Sequence, residues 1–178
     1  MLFDGLLQPA RALTLCALTL GLVGCSSDYK PSRQPSFYRS MATADAELDA
    51  AAAASMISGY RRNNGLNVVT LDPQLMKAAQ EQARAMASRN RFEHDAGGPF
   101  AQRIKRSGYD AKVAVENIGA GYHTLAEAFS GWRDSPPHRA NMLRSGVTKM
   151  GIAAIYAPQS KYKVFWALIL AAPDDRRG

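Results

Sequence analysis

From Asp45 to Arg106 apolar side chains recur at helical spacing, and beyond Val113 the recurrence shortens to two or closes into unbroken apolar runs. Leu48, Ala52, Met56, Ile57 and Tyr60 predict a helix over Asp45 to Asn63, ended by Gly65. Asp72-Pro73 supplies a cap and a first-turn proline for a second helix through Arg89, whose buried stripe is Leu75, Ala79, Ala83 and Met86. A third, shorter helix is expected from Pro99 to Arg106, stopped by Gly108. Val113 to Ile118 reads as a strand, with Ala114, Glu116 and Ile118 on one face and Val113, Val115 and Asn117 on the other. Thr124-x-x-Glu127 is a capping box, which gives Glu127 a structural task, and it opens a helix with Leu125, Ala128, Phe129 and Trp132 on its apolar side. Ser135 is expected to cap a turn containing Pro136, Pro137 and His138. Met150 to Ala157 and Lys163 to Ala171 are strands apolar on both faces, joined by Pro158 to Lys161. Such strands need a layer above and a layer below. The pattern therefore predicts helices on both sides of a small central sheet.

The amino-terminal segment changes the picture of where this domain works. Ala12 to Gly24 is too short to span a bilayer, which takes about 20 apolar residues, and it has the form of the hydrophobic region of a secretory signal. It ends Leu22-Val23-Gly24-Cys25, which resembles the lipobox of bacterial lipoproteins, where the cysteine receives acyl chains such as palmitate and becomes the new amino terminus. Residues 1–24 are thus read as a signal, 25–44 as a polar, proline-interrupted tether beginning at lipidated Cys25, and 45–178 as one domain. Ser26 after the cysteine points to the outer membrane if the cell is Gram-negative. Cys16 lies in the leader, so the mature chain has no pair of thiols and no internal disulfide. Net charge is +7 over 178 residues, and loss of Arg11 and Asp4 with the leader leaves it unchanged. The basic residues are scattered without interleaved aromatics, which argues against a nucleic-acid partner.

Candidate chemistry lies between positions 91 and 143. His94 and His138 bracket Val115-Glu116-Asn117-Ile118-Gly119, and the second histidine sits in Gly131-Trp132-Arg133-Asp134-Ser135-Pro136-Pro137-His138-Arg139-Ala140-Asn141-Met142-Leu143. Neither histidine has a helix-period partner, so a joint site must be assembled by the fold. In this order and spacing the segments resemble the CAP superfamily (cysteine-rich secretory proteins, antigen 5 and pathogenesis-related protein 1; SCP-like), in its short bacterial form, from Leu48 to Pro173.

The resemblance implies an α+β fold, a three-layer α-β-α sandwich around a small, mostly antiparallel sheet. It also implies a central cleft in which two His and two Glu bind a divalent metal in some members. His94, Glu116 and His138 match three of the four positions; Ser135 stands where longer relatives place the second Glu. Glu93, Asn117 and Ser135 are the further cleft-lining candidates. Two imidazoles and one carboxylate suit zinc with an open position for water. A hydrolase reading would use that water, with Glu116 as base or third ligand. There is no His-Glu-x-x-His helix, no nucleophile elbow and no mature thiol beyond Cys25. The sequence expectation is therefore a lipid-anchored envelope binding module for a lipid, sterol-like or peptidoglycan ligand. The alternatives are a metal-assisted hydrolase and a structural or host-interaction protein.

Overall fold

The computed structural model describes residues 34–174; the signal and the first part of the tether, residues 25–33 with Cys25, lie outside them. Among the described residues the order is α1 (Ala50–Asn63), β1 (Thr70–Leu71), α2 (Pro73–Arg89), α3 (Phe100–Ser107), β2 (Ala111–Ala120), α4 (Leu125–Asp134), α5 (Pro136–Met142), β3 (Lys149–Ala157) and β4 (Lys163–Pro173). The strands form one sheet in the order β1-β3-β4-β2. Only the short β1–β3 pairing is parallel; β3–β4 and β4–β2 are antiparallel.

Alternation along β4 builds the layers. Val164, Trp166, Leu168 and Leu170 point to one face, where they pack with Ala53 and Ile57 of α1, Leu125, Ala128 and Trp132 of α4, and Met142 of α5. Ala167, Ile169 and Ala171 point to the other, against Leu75, Ala78, Ala79 and Ala83 of α2 and Ile104 of α3. Both faces are thus covered, as strands without polar alternation require. The helix α2 lies so close to the sheet that a Cβ on Gly151 would fall 2.1 Å from the Leu75 carbonyl carbon. Trp132 and Trp166 meet edge-on at 6.4 Å, and their indole N–H groups donate to the carbonyls of Ile118 and Tyr122. These contacts fix α4 against the carboxyl-terminal half of β2, where the candidate site begins.

Several expectations need correction. α1 starts at Ala50, because the Asp49 side chain accepts the Ala52 N–H at 2.9 Å and ends the helix there. Its buried residues are Ala53, Ile57, Ser58 and Arg61; of the expected set Ile57 is among them, and Leu48, Met56 and Tyr60 pack partly buried against the same core. Arg61 adds a polar member to that face: fully buried, it donates to the carbonyls of Asn67, Met142, Arg144 and Val147. The part of the expected tether that is described is not a free linker. Ser36–Tyr38 forms a 3₁₀ turn, Met41 is buried in the core, and its N–H donates to the His123 carbonyl. Helix α2 runs from Pro73 to Arg89 with Asp72 as cap, and all four stripe residues are buried, as the sequence predicts.

Candidate functional site

The site lies where the 93–98 turn, β2 and α5 meet. The turn has no regular secondary structure, so its carbonyls must be satisfied from outside. Four side chains from α2 and α3 do this. Gln82 Nε2 donates to the carbonyls of Glu93 and His94 at 2.8 and 3.1 Å, and its Oε1 accepts the Gly97 N–H at 3.0 Å. Arg89 donates to the Ala96 carbonyl, and Arg106 to that of Gly97. Arg103 donates through Nε to the Gly98 carbonyl and through Nη2 to the His94 carbonyl, each at 3.0 Å. Gly97 makes room for this clamp, since a Cβ there would come within 2.9 Å of both Arg103 and Gln82.

The turn presents the His94 ring to solvent, 58% exposed, while Nδ1 lies 2.9 Å from Glu116 Oε1. A carboxylate only accepts, so Nδ1 donates and Nε2 faces outward. Glu116 is the reverse case, 3% exposed on β2. The Arg103 guanidinium, wholly buried, lies against both of its oxygens. Nη2 donates to Oε1 at 3.0 Å; Nη1 faces Oε2 at 2.8 Å as an ion pair, off the angle of a hydrogen bond. The Phe100 ring closes the guanidinium 5.2 Å from its centroid.

The opposite wall is α5. Asn117 Nδ2 donates to the His138 carbonyl at 2.9 Å, and Asn141 Nδ2 donates to the Glu116 carbonyl and to Asn117 Oδ1 at 3.0 and 2.9 Å. These bonds dock the short helix on β2 and bring His138 toward His94. Burial holds the half-buried His138 imidazole below the usual histidine range, and the charge of His94 adds to the effect. His138 is therefore neutral at neutral pH.

Among the residues named from the sequence, His94, Glu116, Asn117 and His138 come together. The other two do not join them through side-chain bonds. Glu93 pairs with Arg91, and Ser135 links α4 to α5 without a side-chain cap bond. Asp134 pairs with Arg133. Among the described residues no three His, Cys, Asp or Glu groups are placed to hold an ion, and no hydroxyl or thiol is hydrogen-bonded to either imidazole. A divalent metal does not fit the set as it stands, because both oxygens of Glu116 already face Arg103. Sequence reasoning misses Gln82 and Arg103. The signal is present: each is a polar residue inside an apolar helical stripe, Gln82 among Ala78, Ala79 and Met86, and Arg103 between Phe100 and Ile104.

The family model for the cysteine-rich secretory protein family, CAP, matches residues 54–170. The uncharacterised protein YkwD of Bacillus subtilis (strain 168) is 30% identical over 128 residues, covering 64% of this chain and 49% of that protein. This chain thus spans about half the length of that relative. An extracellular protein containing a SCP domain from Bacillus anthracis superposes with a TM-score of 0.60 at 24% identity, over 68% of this chain and 39% of that one. An outer surface protein from Borrelia burgdorferi does so with a TM-score of 0.64 at 20% identity, over 71% of this chain and 93% of that one. At these identities the two structures speak to the fold alone.

Proposed function

The chain belongs to the cysteine-rich secretory protein (CAP) family, and from that premise we propose that it is an exported, envelope-tethered binding module. In this reading acylated Cys25 anchors it, in the outer membrane of a Gram-negative cell, and the His94–His138 cleft holds a polar segment of the peptidoglycan wall by hydrogen bonds. One observation carries the proposal: an exposed imidazole is aligned by a buried carboxylate at 2.9 Å, beside a helix whose His138 carbonyl is bonded to the next residue of β2. The aligned His94 ring offers Nε2 as a hydrogen-bonding nitrogen in a fixed direction. The 58% exposure of the His94 ring leaves it open to an extended polymer. The basic net charge of +7 favours approach to an anionic envelope. The extracellular and outer-surface settings named for two structural relatives agree with export.

A carboxylate–imidazole pair is also the orienting half of a nucleophilic triad. The metal-assisted hydrolase reading is not adopted because both oxygens of Glu116, its base or third ligand, already face Arg103. The test is co-sedimentation of the purified full chain with peptidoglycan sacculi. Saturable binding, lost in the His94→Ala, His138→Ala double variant, is expected. Equal pelleting of both proteins, or release of muropeptides by the wild type, would overturn the proposal.

A further inference from the structure

We infer that Arg103 is the resident cation of this cleft: it fills the place at Glu116 that a divalent ion would need, and the two histidines work without a metal. The inference concerns the same cleft but not its ligand, so failure of sacculus binding would leave it standing.

Glu116 is the one acidic side chain bonded to either cleft histidine among the described residues, and a buried carboxylate needs a partner. Arg103 is that partner at both oxygens. A divalent ion at Glu116 would lie beside a buried guanidinium and be repelled by it, or would have to drive it out.

Arg103 is poorly able to leave. It is wholly buried, and the same guanidinium holds the carbonyls of His94 and Gly98. Withdrawing it to admit an ion would strip two carbonyl contacts from the turn that carries the first histidine ligand, leaving Gln82, Arg89 and Arg106 to hold it. Metal binding and the placement of His94 therefore compete for one side chain. The remaining bond, His94 Nδ1 to Glu116 Oε1, completes the neutralised unit and leaves Nε2 outward. Arg103 is in this sense a positioning residue: it charges the carboxylate that aligns the imidazole, and it holds the backbone on which the imidazole stands.

The test uses zinc as the probe and the full chain. Zinc is titrated into wild type by calorimetry while the Arg103 guanidinium and Glu116 carboxyl resonances are followed by NMR, and the Arg103→Met variant is run alongside. In wild type no zinc-induced change is expected at either group, even where surface sites produce heat. In Arg103→Met the carboxylate is uncovered, so zinc should raise the Tm of the variant and not that of wild type. One-to-one zinc binding by wild type that shifts the Glu116 carboxyl and Arg103 signals would overturn the inference. So would a folded Arg103→Met that zinc leaves unstabilised. If the variant does not fold even with zinc, the wild-type resonances decide alone.

Discussion

His94 stands on a turn whose carbonyls at Glu93, His94, Ala96, Gly97 and Gly98 are taken by Gln82, Arg89, Arg103 and Arg106, and its ring is aligned by Glu116. His138 stands on a seven-residue helix that two asparagines hold. The first wall is fixed by charge buried among carbonyls, the second by neutral amide bonds to the edge of β2. The first leaves its imidazole exposed, and the second half-buries it. The same residue type is thus set up for two tasks: one ring with a defined tautomer presented to solvent, the other kept neutral by its surroundings.

The largest difference between the walls should appear on removing their anchors. Arg103→Ala leaves Glu116 buried without its counter-charge and should cost about 3–5 kcal/mol, read from the shift in urea midpoint. Asn141→Ala on the other wall strips a neutral bond from the Glu116 carbonyl and should cost about 1–3 kcal/mol. A loss from Asn141→Ala as large as that from Arg103→Ala would erase the distinction.

A smaller effect separates the histidines by pH. The folded-state pKa of His138 is lowered from 6.5, by burial first and His94 second. Its contribution is therefore whole above pH 6.5 and is lost as pH falls through that value toward the lowered folded one, where the folded state must bear a half-buried charge. Urea midpoints at stepped pH should show wild type losing stability over this window faster than His138→Asn. Parallel curves would mean that burial imposes no cost on charging His138. The smallest effect is at Ser135, whose side chain makes no cap bond at the junction of α4 and α5. Ser135→Ala should change stability by less than about 0.5 kcal/mol and leave sacculus binding as it is.

How much of this can be read from the chain differs by region and for physical reasons. α2 is legible to the residue because local signals agree: Asp72 caps, Pro73 pre-sets the first turn, and Leu75, Ala79, Ala83 and Met86 keep one face. The capping box at Thr124 and Glu127 and the doubly buried β3 and β4 are equally local. α1 starts later than its sequence pattern because Asp49 caps it, and its burial of Arg61 is a long-range demand, four carbonyls from distant segments, that the periodicity does not show. α5 reads as a turn in the sequence, since Pro136-Pro137 resembles a break until Ser135 and Pro136 are seen to start a new helix. At the site, motif order points to His94, Glu116, Asn117 and His138. Their electrostatic state is not legible there, because it depends on Arg103, which comes from a different element.

The most direct measurement of the account is the tautomer of His94, read by long-range ¹H–¹⁵N NMR above the titration range of both histidines. Alignment by Glu116 predicts a protonated Nδ1 and a bare Nε2 in wild type, with the preference lost in Glu116→Gln if that variant folds. A proton on Nε2, or a mixture like that of a free imidazole, would contradict it.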